Sequence, residues 1–360
     1  MFTSADHGFM SRALELAAQG LYTTTPNPRV GCVIVRDGVI VGEGWHRRAG
    51  EPHAEALALA EAGGRSRGAT VYVTLEPCSH LGRTPPCVES LVSARVARVI
   101  AAMEDPNPRV NGQGLARLRD AGIDVRCGLL QHEATELNIG FVSRMIRGRP
   151  WIRLKVAASL DGMTALHDGS SRWITGEAAR RDGHAWRARA CAVLTGIGTV
   201  RDDDPRLDVR DVPTQRQPLR ILVDSRLDVA PDAKLFDADG GTLIAYAAGN
   251  ADKERALAAR GCELLHRPGP DGKVDLPGLF AELGARGLNE VHVEAGHKLN
   301  GSLVREGCVD ELLVYLAPAL IGAGRGMFEL PQIAELSARR QLRFTEVDRI
   351  GSDLRLRARF

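Results

Sequence analysis

The sequence lacks the features that mark secreted, membrane and nucleic-acid-binding proteins. It has no run of five or more basic residues and no apolar run near the roughly 18 residues needed to span a bilayer. The N-terminal segment MFTSADHGFM has no basic region followed by an apolar core, so no signal peptide is predicted. The formal net charge of +2 is too near zero for the basic surface that a nucleic-acid backbone requires. We therefore predict a cytoplasmic protein with no nucleic-acid and no membrane partner.

The cysteine pattern does not indicate a disulfide framework. The seven cysteines are an odd number, and in a reducing compartment they are expected to be metal ligands and buried thiols. A chain of 360 residues with 44% hydrophobic and 26% charged residues is long enough for two globular domains. Five cysteines in mostly apolar surroundings are predicted to be core residues, namely Cys32, Cys127, Cys191, Cys262 and Cys308.

A set of potential metal ligands is present between Trp45 and Cys87. This stretch contains GWHRRAGEPHAEAL and, after a short β-type run, VTLEPCSHLGRTPPC. His53, Cys78 and Cys87 could hold one zinc ion per chain through one nitrogen and two sulfur atoms. Three protein ligands are typical of a catalytic zinc, which keeps its fourth position for water, whereas a structural site closes with a fourth Cys or His. The pattern therefore predicts a catalytic zinc site.

Glu55, two residues after His53, is predicted to be the catalytic proton carrier. Zinc lowers the pKa of a water that it binds, and a neighbouring carboxylate can pass the released proton to a leaving amine. HxE followed by PC and a second Cys is the pattern of zinc deaminases. Residues i and i+2 point about 200° apart on a helix, so the site must lie at the N-terminus of the helix predicted from His53 to Ala62. The alternatives are a structural zinc or no metal.

The spacing of the two cysteines departs from the shortest form of this pattern, PCxxC. Eight residues, Ser79 to Pro86, separate Cys78 from Cys87, and both thiolates can reach one metal if this segment folds as a loop. The block HAE followed by LEPCSHLGRTPPC resembles the deaminase half of the bifunctional riboflavin-biosynthesis deaminase/reductases, the RibD or RibG family. The resemblance includes the length of this loop.

The resemblance implies several substrate contacts in the first domain. Asn27 in PNPRVG matches the motif whose Asn contacts the pyrimidine, although a residue between two prolines is also an ordinary turn residue. Asp105 and Asn107 in EDPNPRVNGQG follow a strand, and ligands of such sheets sit at the carboxyl ends of strands. A plain loop is the alternative there. His46 and Arg83 are candidates for the ribose or phosphate, and are otherwise solvated surface residues.

Alternating strand and helix patterns predict an α/β layer sandwich for the first domain, residues 1–146. Helices are predicted at residues 6–18, 53–62, 87–94, 114–121 and 132–144, and strands at residues 30–35, 39–41, 70–75, 96–103 and 123–127. RGRP at residues 147–150 marks the boundary to a second domain, residues 147–360, which begins with a strand at residues 151–158. The resemblance implies a cytidine-deaminase-like three-layer α/β/α domain followed by a dihydrofolate-reductase-like α/β domain.

The second half has no further His/Cys metal pattern and no GxGxxG after its first strand, so a Rossmann unit is not predicted. Four blocks each combine a strand with a loop rich in Gly or Asp, which suggests a nucleotide held at strand ends. They are KVAASLDGMTA, SRWITG, VLTGIGTVRDDDPRLDVR and HVEAGHKLNGSL. In the last block GHKLNGS, residues 296–302, opens a predicted helix whose free N–H groups could cradle a pyrophosphate. A plain strand-to-helix turn is the alternative.

Together the four blocks resemble the reductase half of the same family, which implies an NADPH cofactor. The implied cofactor contacts are Ala157, Trp173, Thr199, Asp203, Ser225, Gly296, His297, Lys298, Leu299, Asn300, Gly301 and Ser302. The implied substrate contacts are Ser171, Arg187, Leu207, Arg210 and Glu294. Arg187 and Arg210 suit a phosphate because a guanidinium makes paired, charge-assisted bonds, although the aspartates at residues 202–204 and 208 could pair with them instead. Cys191 stands where relatives often have Asp, and nothing is predicted for residues 322–331.

The leading prediction is a bifunctional enzyme of riboflavin biosynthesis. As the resemblance implies, the first domain removes an amine as ammonia from 2,5-diamino-6-ribosylamino-4(3H)-pyrimidinone 5′-phosphate, and the second reduces the ribosyl group to ribityl with NADPH. We expect a homodimer or higher homo-oligomer. One other hypothesis is a nucleic-acid base deaminase with an accessory domain, which the near-neutral charge disfavours. Another is a binding module with a structural zinc, which leaves Glu55 unexplained.

Overall fold

The structure, a computed structural model, describes residues 1–79, 86–108 and 110–360. The chain divides into two units, Met1–Gly148 and Arg149–Phe360. The predicted division after residue 146 differs from this by two residues, because the last helix of the first unit continues through Arg147 and ends at Gly148, which has a φ of 69°. Among the described residues, every helix is too short or too polar to cross a bilayer.

The first unit contains a five-stranded sheet with helices on both faces. Its helices are α1 (Ser4–Ala18), α2 (Ala54–Ala62), α3 (Cys87–Ser93), α4 (Gln113–Asp120), α5 (Gln131–Leu137) and α6 (Ile139–Arg147). Its strands are β1 (Gly31–Arg36), β2 (Val39–Trp45), β3 (Thr70–Val73), β4 (Arg98–Ala101) and β5 (Asp124–Cys127). The strand order is β2-β1-β3-β4-β5, in which β3, β4 and β5 are parallel and β1 is antiparallel to both of its neighbours.

Neighbouring residues of the central strands pack into different cores. Val33 belongs to a buried cluster with Met10 of α1, whereas Ile34 belongs to a cluster with Ala54 of α2. Since successive side chains of a strand point to opposite faces, the sheet is covered on both sides. The first unit is therefore a three-layer α/β/α sandwich, as predicted.

The single helix predicted at residues 132–144 is wrong, because α5 and α6 are separated at Asn138. The Asn138 side chain binds another segment: Oδ1 accepts a hydrogen bond from the Arg29 backbone N–H at 2.8 Å, and Nδ2 donates to the Arg29 carbonyl at 2.9 Å. These bonds hold Asn138 at φ −108° and ψ 20°, outside the values of a regular helix. They also fasten the PNPRVG loop to the junction of α5 and α6.

Four of the five cysteines predicted to be core residues are buried, and Cys127 is only half-buried. Cys127 ends β5, which lies at the edge of the sheet and, among residues 1–79, 86–108 and 110–360, has a strand partner on one side only. The prediction used apolar neighbours in sequence, which do not reveal whether a strand is central or at an edge.

The second unit is built around a nine-stranded sheet. Its helices are α7 (Glu177–Arg189), α8 (Ile197–Asp203), α9 (Ala251–Ala259), α10 (Leu276–Ala285) and α11 (His297–Arg305). Its strands are β6 (Trp151–Ser159), β7 (Met163–Ala165), β8 (Ala192–Gly196), β9 (Leu219–Val223), β10 (Thr242–Tyr246), β11 (Glu263–His266), β12 (Glu290–Val293), β13 (Glu311–Ala317), β14 (Arg325–Gly326), β15 (Arg343–Ile350) and β16 (Asp353–Arg359). The order is β11-β10-β9-β8-β12-β6-β13-β16-β15, and β7 pairs separately with β14.

All strands from β11 to β13 in this order are parallel, whereas β16 and β15 continue the sheet antiparallel. The carboxyl ends of β8, β12 and β6 therefore lie side by side at one edge of the sheet. Helix α8 follows β8 directly and α11 follows β12 after three residues, so both helices begin at this edge. Ligands of parallel sheets bind at such an edge.

A buried ion network lies on one face of this sheet. Arg153 on β6 is directly opposite Glu311 on β13 and binds it through Nε at 2.8 Å. Arg153 also binds Glu290 on β12 at 3.1 Å, and Arg357 binds Glu311 at 3.0 Å. The Arg153 guanidinium stacks on Trp186 of α7, 4.3 Å from the ring centroid. Although burial alone would raise the pKa of Glu311, Arg153 and Arg357 lower it to about 2.

We expect Glu311→Gln to destabilise the protein by about 3 kcal/mol at neutral pH, because two buried guanidinium groups lose their anionic partner. The carboxylate contributes this stability above its ordinary pKa of 4.5, and the contribution disappears as the pH falls toward the folded-state value of about 2. The free energies of unfolding of wild type and variant should therefore converge between these two pH values. Urea unfolding followed at several pH values measures this, and a gap that stays constant with pH contradicts it.

Candidate metal centre and cofactor cavity

The three predicted metal ligands of the first unit come together. His53 Nδ1 lies 3.5 Å from Cys78 Sγ and 3.3 Å from Cys87 Sγ, and all three ligand atoms lie within 4.8 Å of one another. His53 immediately precedes α2, Cys78 follows β3, and Cys87 is the first residue of α3. One imidazole and two thiols in reach of a single point form a donor set that zinc prefers. The residues present thus fit a zinc ion.

Glu55 lies in the first turn of α2, where the 200° argument placed it. His53 caps the helix with φ −71° and ψ 162°, so its backbone is extended while Glu55 is already helical. Glu55 is only 3% exposed. Burial raises the pKa of the Glu55 carboxyl, and the negative charge of the nearby Cys78 thiolate raises it further. A buried carboxyl group beside a metal site is suited to carrying a proton.

His46 holds the side chain of Asn27 in place. His46 Nε2 lies 3.0 Å from Asn27 Nδ2, and His46 Nδ1 lies 3.1 Å from the Pro52 carbonyl oxygen. Because a carbonyl only accepts, the proton belongs on Nδ1, and Nε2 then accepts from the Asn27 amide. This leaves Asn27 Oδ1 as the group able to accept from a ligand. His46 is 3% exposed, which excludes the solvated-surface alternative, and its ring centroid is 5.5 Å from that of His53.

The remaining predicted contacts of this site lie after β4. Asp105 is buried, and its Oδ1 accepts a hydrogen bond from the Asn107 backbone N–H at 2.8 Å. The Asp105 backbone N–H donates to Glu76 Oε2 at 3.0 Å, which ties this segment to the chain two residues before Cys78. Arg83 and residues 80–85 of the loop predicted from Ser79 to Pro86 lie outside the described residues.

A cavity of about 1460 Å³ lies in the second unit, and most of the residues predicted to bind the cofactor or the substrate line it. It is lined by eight predicted cofactor residues, Ala157, Trp173, Thr199, Asp203, Gly296, His297, Lys298 and Leu299. All five predicted substrate residues also line it, Ser171, Arg187, Leu207, Arg210 and Glu294. Its volume exceeds the roughly 300–1,000 Å³ of a pocket for one drug-sized ligand, so a cofactor and a substrate can be accommodated together.

Four residues predicted to contact the cofactor are not among those that line the cavity. Ser225 follows β9, and Asn300, Gly301 and Ser302 lie beyond the first turn of α11. Asn300 is buried and its Nδ2 donates to the Met327 carbonyl at 3.1 Å. A Cβ on Gly301 would lie 2.1 Å from the Glu329 carbonyl oxygen, so this residue allows α11 to pack closely on the neighbouring chain. Asn300 and Gly301 therefore pack against the neighbouring chain and do not line the cavity.

The N-terminus of α11 fits a phosphate-bearing cofactor such as NADPH. Gly296 caps the helix, and residues 296–299 line the cavity, so the amides of the first turn, which have no partner within the helix, lie at the cavity. A Cβ on Gly296 would meet nothing nearer than Thr199 Oγ1 at 3.7 Å, which leaves open space beside the backbone. Helix N-termini attract phosphate through these amides and the helix dipole.

Arg187 and Glu294, both predicted to bind substrate, form an ion pair with each other. Arg187 uses Nε and Nη2 to hold both carboxylate oxygens, the second at 2.9 Å, and Nη1 donates to the Asp208 carbonyl at 3.0 Å. Lys155 Nζ lies 3.7 Å from Glu294. Burial would raise the pKa of Glu294, but Arg187 and Lys155 hold it well below its ordinary value. Lys155 also lines the cavity and was missed, although it stands in the KVAASLDG block.

Arg210 pairs with the Asp208 side chain, as the ion-pair alternative suggested. Its own side chain is half exposed and lines the cavity, so a part of the guanidinium remains accessible. Ser171 Oγ donates to Asp203 Oδ1 at 3.3 Å, which joins two predicted contacts at the same wall. Trp173 is 71% exposed, with the Arg180 guanidinium 4.6 Å from its ring centroid.

Fold and sites together define a two-domain enzyme, with a zinc deaminase centre in the first unit and a nucleotide-dependent reductase cavity in the second. Family comparisons agree: the cytidine and deoxycytidylate deaminase zinc-binding region matches residues 3–103, and the RibD C-terminal domain matches residues 150–356. The chain belongs to the RibD family of riboflavin biosynthesis proteins.

Individual relatives support the assignment over nearly the full chain. The riboflavin biosynthesis protein RibD of Escherichia coli K12 is 49% identical and is covered over 98% of its length by 97% of this chain. The solved structure of Acinetobacter baumannii RibD has a TM-score of 0.90 at 42% identity, with 99% of this chain and 98% of that chain covered. A Thermotoga maritima structure, titled as a diaminohydroxyphosphoribosylaminopyrimidine deaminase/5-amino-6-(5-phosphoribosylamino)uracil reductase, has a TM-score of 0.87 at 31% identity with the same coverage.

These matches confirm the predicted family, the fold class and the pairing of a deaminase with a reductase. The predicted cofactors, zinc and NADPH, are those of the two domain types, and the His/Cys/Cys group is a matching metal site. The hypothesis of a nucleic-acid base deaminase with an accessory domain is not supported, since the second unit belongs to the same riboflavin family.

We expect NADPH at about 100 times its dissociation constant to stabilise the second unit by about 2.7 kcal/mol and raise its melting temperature by roughly 5–10 °C. Gly296→Val should abolish most of this shift, because the side chain fills the space beside the helix terminus, where a Cβ meets no protein atom nearer than 3.7 Å. Gly64→Val is the matched control, since a Cβ there meets nothing within 4 Å and the residue belongs to the first unit. Calorimetry reports each transition, and an undiminished shift in Gly296→Val contradicts the assignment.

Proposed function

We propose that the chain catalyses two successive steps on one pyrimidine ribosylamine phosphate. In the first step 2,5-diamino-6-ribosylamino-4(3H)-pyrimidinone 5′-phosphate and water give the corresponding amino-uracil and ammonia, within residues 1–146. In the second step a hydride from NADPH and a proton convert the ribosyl group to ribityl, within residues 147–360. The observation that carries this proposal is the convergence of His53, Cys78 and Cys87 beside the buried Glu55.

In the deamination, His53, Cys78 and Cys87 would hold the zinc ion, which when bound activates water and polarises the reacting centre. Glu55 accepts on its carboxylate the proton that the water releases, and then delivers this proton to the departing amine nitrogen. This is the role of a general acid–base group held beside the reacting atoms. His46 keeps the amide of Asn27 turned so that Oδ1 accepts from an N–H group of the substrate. Asp105 and Asn107 supply further polar contacts after β4.

In the reduction, the residues of the second unit bind and orient the two reactants. The amides at the N-terminus of α11 hold the cofactor phosphates, and NADPH supplies the hydride when bound. Three N–H groups of Arg187 donate to Glu294 and to the Asp208 carbonyl. The remaining N–H groups of Arg187 can donate to the hydroxyl groups of the sugar, and the ionised Glu294 can accept from them. Arg210, which is more exposed, is the better candidate for the substrate phosphate.

Glu55→Gln should retain zinc and abolish deamination, because the amide preserves the size of the side chain but cannot carry the proton. A loss of about 10²–10⁴-fold in kcat is expected for a missing proton carrier. Incubation of the purified protein with the pyrimidine phosphate, with and without NADPH, followed by quantification of ammonia, amino-uracil and ribityl product, tests both steps at once. Elemental analysis gives the zinc content of each sample.

Glu61→Gln is the matched control for this experiment, since Glu61 lies on the same helix but is exposed. It should keep zinc and both activities. Glu55→Gln should still reduce added amino-uracil, because that step uses the other unit. Full deaminase activity in Glu55→Gln, or ammonia release from an oligonucleotide in place of the pyrimidine phosphate, would contradict the proposal.

We further propose that the chain forms a homodimer through β15. Within the described part of the chain, this strand is the edge of the nine-stranded sheet and pairs with β16 only, although it is eight residues long. Phe344 and Val347 on β15, and Leu336 before it, are large exposed apolar side chains. A long edge strand that carries large exposed apolar side chains can pair with another strand, and pairing with the same strand of a second copy gives closed twofold symmetry.

The double variant Phe344→Lys, Val347→Lys should shift the protein from dimer to monomer, because facing lysines would repel each other across the twofold axis. Light scattering after size-exclusion chromatography gives the molar mass. Val39→Lys is the control, since Val39 is equally exposed but lies in the first unit. An unchanged mass for the double variant, or a monomeric wild type, would rule out this interface.

A further inference from the structure

Glu76 carries a buried carboxylate that backbone N–H groups surround. It is 3% exposed and lies two residues before Cys78. Its Oε2 accepts from the N–H groups of Asp105 at 3.0 Å and Gly112 at 2.9 Å, and its Oε1 accepts from Gly114 at 2.7 Å and Leu115 at 3.4 Å. A buried charge persists only when such partners compensate its lost hydration. Four donors from one other segment make Glu76 a bridge between two parts of the chain.

The geometry of these bonds closes a loop. Asp105 and Gly112 lie seven residues apart in the segment between β4 and α4, and the same carboxylate oxygen binds both of their N–H groups. The other oxygen binds the first turn of α4, where amides have no partner within the helix. A Cβ on Gly114 would lie 2.1 Å from the Pro77 carbonyl oxygen, so the start of α4 lies directly against the chain beside Glu76.

The loop closed by Glu76 carries the candidate substrate contacts Asp105 and Asn107. Within it Asn107 donates its N–H to Asp105 Oδ1 at 2.8 Å, and Val110 and Asn111 donate theirs to the Asn107 carbonyl at 2.8 and 3.1 Å. The Glu76 backbone N–H also donates to the Met103 carbonyl at 2.9 Å. Strand end, loop and helix start are therefore fixed relative to the peptide that leads to Cys78.

We propose that Glu76 is a positioning residue of the deaminase, which holds the described residues of the loop, 105–108 and 110–112, at a fixed place relative to the metal ligand Cys78. This rests on the proposed deaminase function. The carboxylate touches neither substrate nor metal in this role. It acts through the backbone of the loop, so its contribution is to substrate binding and orientation, while proton transfer by Glu55 is separate.

Glu76→Gln is the informative change, because an amide keeps the shape of the side chain but turns one acceptor oxygen into a donor. One pair of backbone N–H groups is then left facing an NH₂ group. We expect KM for the pyrimidine phosphate to rise about tenfold or more, with kcat changed far less and zinc content unchanged, as is characteristic of a lost binding interaction. Reduction of added amino-uracil by the same sample should be unaffected.

Hydrogen exchange tests the hydrogen bonds between the Glu76 carboxylate and the loop, here called the clamp, independently of catalysis. The amides of Asp105, Gly112 and Gly114 should be protected in wild type and should exchange at least tenfold faster in Glu76→Gln, because the bonds that protect them are lost. Glu76→Asp is the second variant: it keeps the charge but is one methylene shorter, so it cannot reach both ends of the loop, and a smaller rise in KM than in Glu76→Gln is expected. Exchange on either variant suffices if the other does not fold.

Glu61→Gln again provides the control, because its carboxylate also accepts a backbone N–H, that of Glu43 at 2.8 Å, but at an exposed position. Unchanged KM and unchanged exchange in Glu76→Gln overturn the inference. Loss of zinc together with kcat also overturns it, because Glu76 would then support the metal site itself. If wild type does not deaminate the pyrimidine phosphate, the proposed function fails, whereas the exchange result still decides whether the clamp exists.

Discussion

Parallel strand pairing is the constraint on which both sites depend. In the first unit β3 and β4 are parallel neighbours, so Cys78 and Asp105, which follow them, emerge at the same edge of the sheet. In the second unit β8, β12 and β6 are parallel, and the helices α8 and α11 begin where β8 and β12 end. In each unit, loops that are distant in sequence therefore lie together at the carboxyl ends of the parallel strands. Helix N-termini at the same edge can contact a ligand bound there.

Local periodicity explains which parts of the sites could be predicted from the sequence. The HxE pattern and the helical repeat together placed His53 and Glu55 at the start of a helix, since two residues on nearly opposite sides of a helix can meet only off its end. The same repeat explains where residues 296–302 departed from expectation. All of residues 296–302 were predicted to contact the cofactor, but only residues 296–299 line the cavity. Asn300 and Gly301, in the next turn of α11, pack against Met327 and Glu329.

Contacts between distant segments could not be predicted in this way. Asn138 interrupts a helix because it binds the backbone of Arg29, 109 residues away. Glu76 binds amides up to 39 residues away, and the sequence around it indicates only that a strand delivers the next cysteine. In both cases one polar side chain satisfies the backbone of another segment. Such a partner has no signal in local composition, because any loop offers the same N–H and C=O groups.

Three buried glutamates have different roles because their surroundings differ. Glu311 is surrounded by arginines, which hold its pKa low, and it serves as a fixed counter-charge within the sheet. Glu76 is surrounded by backbone N–H groups, which are neutral dipoles, and through them it fixes the position of another segment. Glu55 is buried beside the metal ligands, and burial raises its pKa. Of these three, only Glu55 has the surroundings that a proton carrier requires.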